Sequence, residues 1–285
     1  MNIKQKIKNV FLNEVPFTFS MPAVLWQLLF LYVPLLIVIY TSLLTPSHYY
    51  DLFKIEYMRI IARSVFIASS VALICLLLAY PVAYFLALKV DRRWKNILLF
   101  LLTLPFWTNF LIQVYSWVFV LDHNGLINTI LLKLGIITEP LHMVNNVYAI
   151  FLVMIHYYLP FMIMPLYSIL EKIQHDILEA SMDLGATHWQ TFTRITIPLS
   201  LSGIKTGILL VFVPAFGEFV IPSLIGGAKY MYVGSLITHY FLVARDSQLG
   251  SAFTVISGLV LLVCALLFNW LCDIPYKKIE KEQQL

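Results

Sequence analysis

Six long apolar runs follow one another along the chain, and shorter polar segments separate them. The runs are Met21–Leu44, Ser64–Leu88, Ile97–Leu121, Val147–Leu170, Gly203–Leu224 and Ser251–Cys272. A helix needs about 20 residues to cross roughly 30 Å of hydrocarbon, and every run reaches that length. None of them alternates apolar with polar residues as the strands of a membrane barrel do. The pattern therefore predicts an all-α polytopic membrane protein with six transmembrane helices.

One polar segment is too structured to be an ordinary loop: residues 176–200 read DILEASMDLGATHWQTFTRITIPLS. Asp176 followed by Glu179 has the spacing of a capping box, so a helix should begin there. Gly185 stands where a helix ends in the left-handed conformation. Thr187 and Gln190 repeat the capping pattern and predict a second helix. The segment 176–198 is thus expected to be two short helices joined at a glycine.

The faces of these two helices suggest a surface for a partner. Helical spacing groups Ile177, Ala180, Ser181 and Leu184 on the first helix, and Trp189, Phe192 and Ile195 on the second. Small residues at Ala180, Ser181 and Ala186 would let another surface approach the bend closely. Pro198 is expected to end the second helix before the next span.

Composition agrees with a membrane protein and sets its orientation. The 285 residues are 60% hydrophobic and only 12% charged, too little charge to cover a soluble domain. With a cytoplasmic N-terminus, 13 basic residues fall inside and 6 outside, which is a positive-inside bias. The inner set is Lys4, Lys6, Lys8, Lys89, Arg92, Arg93, Lys95, Lys172, Arg194, Lys205, Lys277, Lys278 and Lys281; the outer set is Lys54, Arg59, Arg63, Lys133, Lys229 and Arg245. Both termini and the polar segment are therefore expected in the cytoplasm. The net charge of +4 reflects this bias, so it is not a signal for nucleic acid.

Missing motifs narrow the function further. The sequence has no GxxxxGK[ST] phosphate loop, so the chain should not hydrolyse ATP itself. Cys75, Cys264 and Cys272 fall in predicted spans without metal-ligand spacing. The outer loops are too short for a soluble substrate-binding domain. If the protein moves a solute actively, energy and capture must come from partner proteins.

A carboxylate and several aromatic residues are candidates for a cationic solute. Glu218 falls in the fifth apolar run, where an ionisable group should face the bundle interior or the outer membrane boundary. Trp107, Tyr115 and Trp117 offer ring faces for cation–π contacts of roughly 0.5–2 kcal/mol each. Equally, these aromatics could form an interfacial belt, and Glu218 could be a structural partner of backbone or lysine.

The polar segment resembles a family motif, EAxxxxG followed after nine residues by IxLP. This chain has Glu179, Ala180 and Gly185, then Ile195 and Pro198. Ser181 and Ile197 replace the usual alanine and leucine. The motif is similar to that of permease subunits in ATP-driven binding-protein-dependent importers, the type I ABC importer (MetI-like) fold. The resemblance implies that Glu179, Ala180, Ser181, Asp183, Leu184, Gly185 and Ala186 form a coupling helix that docks on a cytoplasmic ATPase.

Three further stretches resemble the spermidine/putrescine importers, especially their first permease subunit. They are PFWTNFLIQVYSW (105–117), YYLPFMIMPLYSILEKI (157–173) and FGEFVIPSLIGGAK (216–229). The last also resembles the putrescine-specific paralogue, so the preferred polyamine stays open. Glu171 matches the family's YSxxEK position. It would either serve the inner gate or have a local role, capping the helix and pairing with charges near Lys172. Permeases for iron, sulfate or phosphonates share these stretches less well.

The resemblance implies a set of partners in a bacterial inner membrane. These are a second permease subunit, in a heterodimer, two ATPase subunits that bind ATP and magnesium, and a periplasmic or extracellular polyamine-binding protein. The chain itself would be one non-catalytic permease domain, residues 1–285, without cofactor or metal. A secondary transporter would instead show an inverted repeat, and a membrane enzyme would need a charged or metal-binding cluster at one depth.

Overall fold

A computed structural model describes residues 21–227 and 230–282, except the side chains of Arg92, His175 and 274–282. The first twenty residues, with Lys4, Lys6 and Lys8, lie outside this part, as does Lys229. Within it the chain is helical and contains no strand. The helices are α1 (Met21–Leu43), α2 (Ser47–Leu52), α3 (Ile55–Leu88), α4 (Arg92–Thr103), α5 (Phe110–Leu121), α6 (Leu126–Lys133), α7 (Val147–Leu170), α8 (His175–Asp183), α9 (His188–Phe216), α10 (Val220–Ile225), α11 (Val233–Ala244) and α12 (Ser247–Glu282).

Five helices are long and apolar enough to cross a membrane. They are α1, α3, α7, α9 and the part of α12 from Ser247 to Asp273, with mean hydropathies of 2.2, 2.4, 1.9, 1.7 and 2.5. A sixth span exists only as a bent pair, Arg93–Trp107 and Phe110–Lys133, whose axes meet at 91°. The all-helical architecture is confirmed, with six spans when the bent pair counts as one.

The prediction of one continuous helix over 97–121 is wrong, because the chain turns at Thr108. Pro105 lies in a short 3-10 turn, Leu104–Trp107, and Thr108 then takes an extended ψ of 152°. The next helix starts afresh because the Asn109 side chain accepts a hydrogen bond from the Leu111 N–H at 2.8 Å. The Gln113 amide donates to the Thr108 hydroxyl at 2.6 Å and to the Pro105 carbonyl. These bonds satisfy polar groups that a break inside a membrane exposes.

The centre of the bundle is formed by α3, α7 and α9, which pack against one another. Ala68, Ala72 and Ala79 of α3 are buried there. On α9, a Cβ added at Gly207 would lie 2.5 Å from the Met162 sulfur of α7. Small residues of this kind let membrane helices approach closely, since packing rather than water exclusion drives their association.

The first span, α1, lies on the outside of the bundle. None of its most apolar window is buried within the chain. It packs along α12, where the Thr41 hydroxyl donates to Ser251 at 2.7 Å. The apolar surface that it leaves exposed suits contact with lipid or with another membrane chain.

The fifth span departs from the prediction at both ends. Pro198 does not stop a helix, because α9 continues from His188 to Phe216. A π-helical turn, Phe192–Thr196, precedes the proline, and the Ile197 N–H bonds to the carbonyl of Phe192, five residues back. Pro198 follows directly. It has no N–H to donate to the preceding turn, and the wider π-helical turn leaves room for its ring. The other end is Phe216 rather than Leu224, and a separate helix, α10, begins at Val220.

Candidate functional site

The polar segment 176–198 turns at its glycine as predicted. Gly185 has a φ of +89°. Its N–H bonds to the Met182 carbonyl at 2.9 Å, and the Ala186 N–H bonds to the Ser181 carbonyl at 3.1 Å. This pair of bonds is the Schellman motif, which ends α8 and fixes the direction of the next residues.

One of the two predicted capping boxes is present. The Thr187 hydroxyl accepts from the Gln190 N–H at 3.3 Å, and the Gln190 side chain accepts from the Thr187 N–H at 2.9 Å. The capping box predicted at Asp176 and Glu179 is wrong. The N-cap of α8 is Gln174, which makes no side-chain cap bond. Asp176 lies instead in the first turn, where its negative charge interacts favourably with the positive end of the helix dipole.

A buried contact fastens α8 to the beginning of α9. The Ser181 hydroxyl donates to the Leu178 carbonyl at 2.8 Å and is 2.8 Å from the hydroxyl of Thr191. Ser181 and Thr191 are both buried. The expectation that Ser181 leaves space on the surface is therefore wrong, because its small size serves packing between the two helices.

The outward surface of the segment carries apolar and acidic side chains side by side. Leu184 is 90% exposed and Trp189 is 71% exposed. Glu179, Ala180 and Asp183 are also exposed, whereas Ala186 is half-buried. Large exposed apolar side chains grouped at one bend form a candidate surface for contact with another protein.

The start of α9 is anchored to α3 by aromatic contacts. The Phe192 ring meets the rings of Tyr80 and Tyr84 edge to face, with centroids 5.6 and 5.8 Å apart. The Tyr80 hydroxyl also lies 2.8 Å from the Ser200 hydroxyl. The bend at Gly185 is thus held at a fixed place on the bundle.

The capping box at Thr187 gives a local test of this rigidity. Thr187→Ala removes the acceptor for the Gln190 N–H and should cost about 1 kcal/mol. We expect faster tryptic cleavage at Arg194 in the purified protein, because the first turn of α9 opens more often. Thr187→Ser keeps the hydroxyl and should be cleaved like the unmodified chain. Equal cleavage of the two variants would contradict a role for the cap.

A second candidate site is a cavity of about 910 Å³ beside Glu218. Its wall is made by α7, α9, the link 217–219 and the beginning of α10, with one residue from α5. The lining residues are Phe110, Tyr157, Tyr158, Phe161, Thr206, Leu209, Leu210, Val213, Pro214, Gly217, Glu218, Phe219 and Val220. No lysine, arginine or histidine belongs to this lining, so the Glu218 carboxylate faces aromatic and aliphatic groups there.

The Glu218 carboxylate is held from two sides. One oxygen accepts from the Tyr158 hydroxyl at 2.9 Å. The other accepts from the N–H groups of Val220 at 2.8 Å and Ile221 at 3.4 Å, and so caps α10. Glu218 thus lies after the end of the fifth span, in the link between two helices, and not within an apolar helix.

The structure does not bring the three predicted aromatic residues to Glu218. Trp107 is 78% exposed and meets Phe100 edge to face, and Tyr115 is exposed. Trp117 lines a different cavity, of about 280 Å³, where its ring lies 5.2 Å from that of His156.

Other aromatic residues, which sequence reasoning missed, take that place. The ring of Phe110 lies 4.6 Å from that of Tyr157, and the ring of Tyr158 lies 6.3 Å from that of Phe161. For three of them the signal was present in the sequence YYLPF, because Tyr157, Tyr158 and Phe161 lie about one helical turn apart or less and all line the cavity.

Glu171, at the end of α7, takes part in a local ion pair. Its carboxylate lies 3.3 Å from the Lys95 ammonium, and it also interacts with Tyr167. The Lys95 ammonium lies 5.9 Å from the centre of the Tyr167 ring. These contacts join α7 to the beginning of α4, which supports the pairing interpretation of Glu171.

The chain is similar to known membrane permeases along most of its length. Residues 79–281 match the family described as binding-protein-dependent transport system inner membrane component. The spermidine/putrescine transport system permease protein PotB of Escherichia coli (strain K12) is 41% identical over 254 residues, covering 84% of this chain and 92% of that protein. PotB of Haemophilus influenzae is 38% identical over 255 residues, covering 85% and 88%.

A solved structure shows the same fold at low sequence identity. It is a bacterial alginate ABC transporter in complex with an alginate pentasaccharide-bound periplasmic protein. One of its chains aligns with a TM-score of 0.75 at 18% identity, covering 97% of this chain and 99% of that chain.

Proposed function

This chain belongs to the binding-protein-dependent transport system inner membrane components, and on that premise we propose that it is the permease subunit of an ATP-driven polyamine importer. It is a multi-pass protein of the inner membrane. The observation that supports a cationic cargo is the Glu218 carboxylate in an aromatic cavity whose lining has no basic residue. Relatives at 38–41% identity that are named for spermidine and putrescine transport support polyamine as the cargo.

The cavity matches the two chemical parts of a polyamine. An ammonium group can pair with the Glu218 carboxylate, and the rings around it offer cation–π contacts of about 0.5–2 kcal/mol each. The methylene segments between the ammonium groups can pack on Leu209, Leu210 and Val213. A carboxylate in an apolar cavity is costly unless it is bonded or paired, and here Tyr158 and α10 already hold it.

The polar segment is the proposed contact with the ATPase. Its rigid bend presents Leu184 and Trp189 outward, with Glu179, Ala180 and Asp183 beside them. Buried Ser181 and left-handed Gly185 keep the shape of this surface. We assign residues 176–198 as the coupling segment of one permease domain that spans residues 1–285.

Transport then follows an alternating-access cycle with several partners. A related second permease chain completes the pathway, and a binding protein delivers polyamine at the outer face. Two ATPase subunits bind ATP and magnesium, close, and move the coupling segments, which turns the pathway outward; hydrolysis resets it. This chain supplies the cavity and the coupling surface, and both termini lie in the cytoplasm.

Uptake of labelled spermidine tests this proposal. The complex, with its second permease, ATPase and binding protein, is reconstituted in vesicles, and putrescine serves as competitor. Uptake that needs ATP and is blocked by putrescine supports a polyamine importer. If neither polyamine is taken up in the presence of ATP, polyamine is not the cargo. Copurification of an ATPase subunit tests the importer class separately.

Glu218→Gln should weaken polyamine uptake more than it weakens assembly. The substitution keeps the shape of the side chain but removes the charge, and a charge-assisted hydrogen bond contributes roughly 1.5–3 kcal/mol. We expect a roughly tenfold or larger rise in the half-saturating spermidine concentration. Glu139→Gln, which removes an exposed carboxylate outside the cavity lining, is the matched control. Unchanged uptake kinetics in Glu218→Gln would remove Glu218 from the path.

A further inference from the structure

The Glu218 carboxylate has a fixed orientation because two structural elements share it. A carboxylate has about four acceptor positions. Tyr158 uses one oxygen, and the N–H groups of Val220 and Ile221 use the other. The group is therefore held between α7 and α10, and it lines the cavity with acceptor capacity left over.

Tyr158 is well suited to hold the carboxylate in place. The residue is only 2% exposed and lies in α7, whose packing forms the centre of the bundle. Its ring is fixed among other aromatics, 5.1 Å from the ring of Tyr157 and 6.3 Å from that of Phe161. A buried hydroxyl needs a hydrogen-bond partner, and in the described part of the chain the partner of Tyr158 is Glu218.

The second side of this arrangement, α10, is fixed as well. The Asn145 N–H bonds to the Ile225 carbonyl at 2.8 Å, at the far end of α10. Ile221, Pro222 and Ile225 are buried. Burial of these residues and the bond at the far end fix α10, so its first N–H groups offer a fixed position against which the carboxylate is held.

We propose that Tyr158 is a positioning residue for polyamine binding, which fixes the Glu218 carboxylate so that it faces the cavity as a ready acceptor for one ammonium group. A free glutamate side chain samples several rotamers and must be ordered when ligand binds. Holding it in advance removes that cost, and preorganisation of this kind increases affinity without a new contact to the ligand. The inference rests on the proposed function, because it concerns the same cavity.

A double-mutant cycle in the reconstituted complex tests the proposal. Tyr158→Phe should raise the half-saturating spermidine concentration about tenfold, the effect of losing one hydrogen bond to a charged group, and leave the maximal rate nearly unchanged. In the Glu218→Gln background the same change should add no further rise. Tyr49→Phe is the control, because it removes a hydroxyl bonded to Ser42 at 3.0 Å, away from the cavity.

Two other outcomes would overturn the positioning role. One is a lower maximal rate with an unchanged half-saturating concentration, which indicates a purely structural role. The other is an additive effect in the double variant, which indicates that Tyr158 acts without Glu218. If the wild-type complex takes up no polyamine, the proposed function itself is overturned. The outcomes above overturn only the positioning role, because in them the wild-type complex still transports.

Glu218→Asp provides a second test should Tyr158→Phe not assemble. Aspartate keeps the charge but is one methylene shorter, so it cannot reach both Tyr158 and α10 as glutamate does. The half-saturating concentration should rise about tenfold if position matters, by the same hydrogen-bond argument. Wild-type affinity in this variant would show that charge alone is sufficient and would overturn the proposal.

Discussion

Gly185→Asp is expected to abolish ATP-dependent uptake while the protein still inserts in the membrane. Gly185 has a φ of +89°, where a residue with a side chain costs roughly 1–2 kcal/mol. A Cβ there would meet nothing within 4 Å in this chain, so the fold has room for it. The proposed ATPase groove does not, because the coupling segment must enter it closely. Uptake and the amount of membrane-inserted protein are the two measurements.

The chain offers a matched control at Gly135. This glycine also has a positive φ, +67°, and a Cβ added there would meet nothing within 4 Å. It follows α6, away from the coupling segment. Gly135→Asp carries the same conformational cost and should leave uptake near the wild-type rate. Loss of uptake in both variants, or in neither, would contradict the coupling assignment of Gly185.

The second large effect is expected at the ion pair between Lys205 of α9 and Asp273 of α12. Their side chains are 21% and 33% exposed, so the pair is half-buried. Lys205→Met leaves the half-buried Asp273 charge without its partner, which should cost roughly 1–3 kcal/mol. We expect a large loss of folded protein, measured as the monodisperse fraction after heating in detergent.

The double variant separates the pair from its single charges. Lys205→Met with Asp273→Leu removes both charges together, and replacing an ion pair that is withdrawn from solvent with apolar residues is often neutral. Most of the folded fraction should therefore return. Asp51→Asn breaks an exposed pair with Lys54, 62% and 50% exposed, and should change little. A double variant no better than Lys205→Met would argue against the pair as the cause.

The local parts of the fold could be predicted because nearby residues decide them. The left-handed turn at Gly185 depends on the absence of a Cβ, and the box at Thr187 needs only Gln190, three residues on. Long apolar runs likewise predict spans without knowledge of their neighbours. The family motif in the polar segment was readable for the same reason, since its residues lie close together in the chain.

The predictions that were wrong concern features that depend on contacts between distant parts of the chain, or on how adjacent residues act together. Pro198 looked like a stop because the π-helical turn before it has no clear sequence signal. The break at Thr108 needed Gln113 and Asn109 to satisfy the freed backbone, which hydrophobicity alone does not show. The partner of Glu218, Tyr158, is 60 positions away, so no local pattern could pair them. The aromatic wall was misplaced for the same reason.

The continuity of α9 has a mechanical consequence. One helix of 29 residues, about 43 Å long at 1.5 Å per residue, starts next to Trp189 and ends two positions before Glu218. A tilt of about 5° around its coupling end would move the other end by about 4 Å, given that length. If the proposed function holds, this helix acts as a lever, through which a small rotation imposed by the proposed ATPase partner reaches the Glu218 carboxylate, the group proposed to receive the cargo.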